Sequence, residues 1–140
     1  MIENQNRVSF ITLAVADLAR ARAYYEALGW EAEQVMEVVA FYRTRGQIFG
    51  LFTLEGLAKE TGRPVESLQT GAMTLAQNQP SRADVDAAFA HSVACGATPV
   101  RAPFETDWGG YSCYVADPDG HLWEFAHNPF SPLDTEGHLA

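Results

Sequence analysis

Asp117-Pro118-Asp119-Gly120-His121-Leu122-Trp123-Glu124 is the stretch that decides the fold. Pro118 presets φ for a turn, and Gly120 accepts the positive φ that a tight reversal needs. Runs rich in aromatic and β-branched residues flank it, Tyr111 to Ala116 and His121 to Ala126, so the segment predicts a β-hairpin. Upstream, Thr98 to Arg101 gives another strand signal. Before that, Val85, Ala88, Phe89 and Ser92 share one helical face and Gly96 closes the helix. Ser81, with Asp84 three residues on, resembles a capping box with a shorter acid than usual. Met73 to Gln77 opens the series as a strand. The order is strand, helix, three strands.

The first half of the chain obeys the same grammar. Val8 to Val15 is a strand, Asp17 an N-cap, and Leu18, Ala21, Tyr25 and Leu28 an apolar stripe that Gly29 terminates. Strands follow at Trp30 to Val35, Val38 to Thr44 and Gln47 to Thr53, with Arg45-Gly46 turning between the last two. The halves align through Ala27-Leu28-Gly29 and Ala94-Cys95-Gly96, and again through Ile48-Phe49-Gly50-Leu51-Phe52 and Leu122-Trp123-Glu124-Phe125. The expected organisation over residues 1–140 is one domain, with module one at 8–53, a linker at 54–70 carrying a short helix at Leu57 to Thr61, module two at 71–128, and a tail at 129–140.

Composition narrows the function classes. With 47% apolar and 19% charged residues the chain reads as an ordinary globular protein. Its net charge of −9 disfavours nucleic acid and anionic membranes, both of which would repel it. No apolar run approaches the roughly 20 residues that cross a bilayer, and Met1 to Arg7 is polar with no signal-peptide pattern. Cys95 and Cys113 lack CxxC spacing, which suggests reduced thiols in the cytoplasm. No nucleophile elbow, phosphate loop or dinucleotide fingerprint occurs, so no such cofactor is expected.

Three groups of residues carry a family resemblance. Val15-Ala16-Asp17-Leu18 with Tyr24-Tyr25 and Leu28-Gly29 is one, and Asp117 to Glu124 another. Trp108-Gly109-Gly110-Tyr111-Ser112, like a loop of many uncharacterised glyoxalase-like proteins, is the third. Together with the repeat, they resemble the vicinal oxygen chelate superfamily, which comprises glyoxalases, bleomycin resistance proteins and dioxygenases. The resemblance covers Val8 to Asn128. It implies an α+β fold of two tandem β-α-β-β-β modules forming a curved, cupped mixed sheet. It also implies a homodimer, since family members commonly cover sheet edges with a partner chain.

Metal-using members of that superfamily place one ligand on the first and one on the last strand of each module. The resemblance carries those positions onto Phe10, Gly50, Ala72 and Glu124, of which only Glu124 can bind a metal. Shifting by one residue offers Ser9 or Ile11, Phe49 or Leu51, and Gly71 or Met73, and rescues nothing. No metal and no other cofactor is therefore expected. His91, His121, His127 and His138 read as exposed, with His121 and His127 on the strand face opposite Glu124.

The candidate site is then a cup built from Phe10, Thr12, Gly50, Ala72, Thr74, Trp108, Tyr111, Cys113, Leu122 and Glu124. Small residues leave room in it, and Asp107-Trp108-Gly109-Gly110 is expected to be a mobile lid. Cys113 is expected opposite Glu124, and Tyr111 opposite Ala126, all facing inward. Glu124 has two readings. It is either a structural carboxylate held by a tyrosine or the backbone, or a group that contacts ligand or acts as a base. Burying an unpaired charge is costly, so it must find a partner or a proton. The leading expectation is a metal-independent protein binding a small, flat or partly apolar molecule. The alternative is an enzyme, either a lyase or isomerase with Glu124 as catalytic base or a dioxygenase or glyoxalase with an unforeseen metal.

Overall fold

The computed structural model describes residues 6–139; Met1–Gln5, part of the polar N-terminal stretch, and Ala140 lie outside the described residues. The chain divides into two compact units at Gln69/Thr70.

In the first unit, β1 (Phe10–Val15) leads into α1 (Leu18–Ala27), then β2 (Gln34–Val35), β3 (Val39–Arg43) and β4 (Ile48–Thr53). The sheet order is β1-β4-β3-β2, with β1 parallel to β4 and the other pairs antiparallel. Asp17 caps α1 as expected, its carboxylate accepting the Arg20 N–H at 3.0 Å. Leu13, Val15, Ala40, Tyr42, Phe49 and Leu51 fill the core with Ala21, Tyr24 and Tyr25 of α1. Tyr25, Trp30 and Phe49 pack ring against ring at centroid distances of 5.1–5.5 Å. The linker helix α2 (Leu54–Thr61) begins earlier than expected because Thr53 caps it, accepting the Gly56 N–H at 3.1 Å.

The second unit repeats the scheme with β5 (Thr74–Asn78), α3 (Arg82–Ala94), β6 (Thr98–Glu105), β7 (Tyr111–Ala116) and β8 (Leu122–His127), in the order β5-β8-β7-β6. Among the described residues these units are two four-stranded mixed sheets with helices, an α+β architecture of the expected repeated module. At α3, Asp84 does not reach back to the N-cap amide as in a capping box. The Ser81 hydroxyl accepts the Asp84 N–H at 3.1 Å and donates to the Asp84 carboxylate at 2.7 Å.

Two strands differ from expectation. Only Gln34 and Val35 of the Trp30–Val35 stretch pair with β3. β6 runs four residues beyond Arg101, with register shifts on both sides of that residue; Pro99 and Pro103 are tolerated because β6 is an edge strand. No helix among the described residues is long and apolar enough to cross a membrane.

The β7–β8 turn sets the geometry of the second sheet. The Asp117 N–H donates to the His121 carbonyl, while the buried Asp117 carboxylate accepts the N–H groups of Asp119 and His121, all at 2.9 Å. Asp117 and His121 thus face each other across a loop of Pro118, Asp119 and Gly120, with Gly120 at φ 91°. A turn closed by a left-handed glycine is the usual three-residue hairpin. Asp117→Ala would strand two inward amides; we expect a loss of about 2 kcal/mol in urea unfolding. A loss under about 0.5 kcal/mol would show that the carboxylate does not hold the turn.

Candidate functional site

A three-residue loop gives the β7–β8 ladder a register that puts Tyr114 opposite Glu124, Cys113 opposite Phe125, Ser112 opposite Ala126 and Tyr111 opposite His127. The expected pairs Cys113–Glu124 and Tyr111–Ala126 presume a four-residue loop. One residue of difference sends every β7 side chain to the other face. Cys113 therefore lies fully buried on the α3 side with Val85, Val115 and Trp123, where burial pushes its thiol up to about 11. Tyr111 also turns toward α3, its hydroxyl donating to Asp86 at 2.7 Å and its ring lying under the Arg82 guanidinium. Neither residue shares the Glu124 face.

That face belongs to Ser112 and Tyr114. Both hydroxyls donate to the same carboxylate oxygen, Oε2 of Glu124, Tyr114 at 3.0 Å. The half-buried carboxylate is thereby held from one side, and neither of these bonds occupies Oε1. Burial, and then the bond to Glu124, raise the Tyr114 pKa above its ordinary value, so its hydroxyl stays a donor through neutral pH. Ladder pairing sets Ala76 beside Glu124 and Thr74 beside Leu122, both exposed, and puts Phe104 opposite Ser112 and Arg101 opposite Tyr114.

The corresponding face of the first unit carries Phe10, Thr12 and Gly50, since Thr12 pairs with Gly50 and Phe10 with Ile48. It is not open at Gly50. Phe41 lies opposite, and its ring would sit 3.4 Å from a Cβ placed there, with Thr12 Oγ1 at 3.5 Å. Phe10 meets the same ring edge-on at 5.9 Å between centroids. The space that a missing side chain was expected to leave is narrowed by an aromatic neighbour to about the size of a Cβ in ordinary contact.

Two expected residues stand outside the ladders. Ala72 precedes β5; because Phe10 is opposite Ile48 and Thr74 opposite Leu122, Thr74 is the counterpart of Phe10. Trp108 caps the β6–β7 turn with 54% exposure, and its ring occupies the position that a Gly110 side chain would need. The expected lid is a closed turn. Thr106 N–H donates to the Gly110 carbonyl at 2.9 Å, Gly110 N–H to Thr106 Oγ1 at 2.8 Å, and Gly109 N–H to the Thr106 carbonyl at 3.2 Å.

The catalytic ion of metal-using relatives needs roughly three or four protein ligands. At the corresponding positions the two units offer a phenyl ring, a bare glycine, the Thr74 hydroxyl and one carboxylate. Such a donor set does not fit the ion. Among the described residues, no three His, Cys, Asp or Glu side chains are grouped to hold one.

The comparisons with known proteins agree with this architecture. Over 97% of its length the chain matches 98% of a glyoxalase-related enzyme from Fulvimarina pelagi, with 32% identity and a TM-score of 0.90. A glyoxalase/bleomycin resistance protein from Albidiferax ferrireducens is 27% identical, with a TM-score of 0.66 over 87% of this chain and 98% of that one. A lactoylglutathione lyase from Agrobacterium tumefaciens, 22% identical, shares the fold with a TM-score of 0.68 over 89% and 96% of the two chains. No curated protein matches. The model of the Glyoxalase/Bleomycin resistance protein/Dioxygenase superfamily matches residues 7–125, and the chain belongs to that superfamily.

Cys113 and Cys95 provide a direct check on the β7 register. At about pH 8 Cys113 should stay a protonated, buried thiol and resist a disulfide reagent until the protein unfolds, while half-exposed Cys95 reacts in the native state. Rapid labelling of Cys113 in the folded protein would place β7 in the other register.

Proposed function

We propose that this glyoxalase-like protein binds a small, flat or partly apolar molecule without a metal, at the Glu124 face of the second unit. One observation carries the reading. Ser112 and Tyr114 hold Glu124 through Oε2 alone, so Oε1 is available to a hydroxyl, amide or ammonium donor on a ligand. Exposed Thr74 and Ala76 beside it are small enough to admit a ring. A lyase or isomerase reading draws on the same pair: the Glu124 carboxylate would take a proton from carbon and the Tyr114 hydroxyl would polarise the neighbouring oxygen. Glyoxalase or dioxygenase chemistry through an ion finds too few ligands here.

The proposal includes a homodimer, because the sheets end in β1 and β2 and in β5 and β6, edges that a second copy can cover. It includes a reducing cytoplasmic setting, in keeping with two free thiols. Light scattering at micromolar concentration should give twice the chain mass; the mass of one chain overturns the dimer.

Metal analysis and a screened ligand test the site. Purified protein should carry no stoichiometric metal, and Glu124→Gln should weaken ligand binding by about tenfold without unfolding the protein. Tightly held zinc, nickel, iron or manganese that Glu124→Gln releases would overturn the metal-free reading. Equal affinity of both forms from about pH 5 to 8 would reduce Glu124 to a structural role.

A further inference from the structure

Arg101 lies on the same face as Glu124. The register shifts on either side of it allow Arg101 and Phe104, three residues apart, to sit opposite Tyr114 and Ser112 respectively. Its guanidinium carbon is 3.4 Å from the centre of the Phe104 ring, and Phe104 in turn stacks on Tyr114 at 6.4 Å and 21°. Tyr114 donates to Glu124. The result is a row of cation, two aromatic rings and carboxylate along one sheet face.

Stacking covers one flat side of a guanidinium and leaves its in-plane N–H groups pointing outward. Arg22, Arg43 and Arg82 spend theirs on Glu26, Glu33 and Glu105. Among the described residues Arg101 has no such carboxylate, although the chain holds 18 acidic side chains against nine basic ones. A planar fork held against a ring suits a carboxylate or phosphate better than a free surface arginine does.

We infer that Arg101 is an oxyanion-recognition point, and that the ligand of this face is an aromatic or conjugated acid. Its anionic end pairs with the Arg101 guanidinium, its flat body lies against the edges of the stacked Phe104 and Tyr114 rings, and a hydroxyl or amine at the far end donates to Oε1 of Glu124. The inference rests on the proposed use of the Glu124 face for ligand binding, and its test separates the two.

The probes are 4-hydroxybenzoate and its neutral analogue 4-hydroxybenzyl alcohol, each titrated up to about 10 mM into isotopically labelled protein and followed by backbone NMR shifts. The acid should shift Arg101, Phe104 and Tyr114 and bind about tenfold more tightly than the alcohol. Arg101→Gln should erase that difference, and added salt should shrink it. Glu124→Gln should weaken acid and alcohol alike. Equal binding of acid and alcohol by the wild type, an Arg101→Gln variant that keeps the preference, or no shift at these residues would each overturn the role of Arg101. If Arg101→Gln abolishes the preference while Glu124→Gln changes nothing, the oxyanion site stands and the role of Glu124 falls.

Discussion

The Asp117 carboxylate, by accepting the amides of Asp119 and His121, fixes the surroundings of Glu124 from a distance. It closes the β7–β8 turn over three residues, and an odd loop decides which β7 side chains share a face with Glu124. Side chains alternate strictly along a strand, so the consequence reaches the far end of the hairpin undiminished. Ser112 and Tyr114 become the carboxylate's partners, and Cys113 becomes core. The Glu124 face is set by the closing of a turn, not by any contact made at the face itself.

Glu124 shows how a carboxylate can sit half out of water without a cation. Two hydroxyl donors replace part of its hydration, and they do so on one oxygen. An arginine in their place would have neutralised the group and closed it to other partners. Hydroxyls solvate the charge and leave it in place. Arg101 lies on the same face but spends its flat side on Phe104, so the face carries both signs of charge, with aromatic rings between them.

Most of the fold was legible in the sequence because periodicity, caps and glycines act locally. Asp17 and Ser81 cap the helices they precede, and Gly29 and Gly96 adopt the positive φ that ends them. Parity across a turn is less forgiving. Pro118-Asp119 followed by a left-handed Gly120 is a readable three-residue signature, yet counting Asp117 as part of the loop exchanges Ser112 and Tyr114 for Cys113 and Tyr111. The bulges of β6 were not legible, because Pro99 and Pro103 mark an edge strand or a bulge without saying which, and with them went Arg101 and Phe104. Phe41 was hidden for another reason. A glycine looks like space in a sequence, whereas the neighbour that narrows it is known only from the ladder.

That narrowed space bears on redesign. Gly50 and Glu124 hold equivalent places in the two units, so Gly50→Glu would give the first sheet a carboxylate where the second sheet has one. Phe41 borders that place: a Cβ at residue 50 would touch its ring at 3.4 Å, an ordinary contact, and a longer acid would have to pass the ring. One hydroxyl is already at hand for such an acid, that of Thr12, 3.5 Å from the position of the Cβ. Phe41 is paired with Gly50, as Tyr114 is with Glu124, but it brings no hydroxyl. The two repeats share a backbone plan but not a chemistry: one sets a phenyl ring beside a glycine, the other a tyrosine hydroxyl beside a carboxylate.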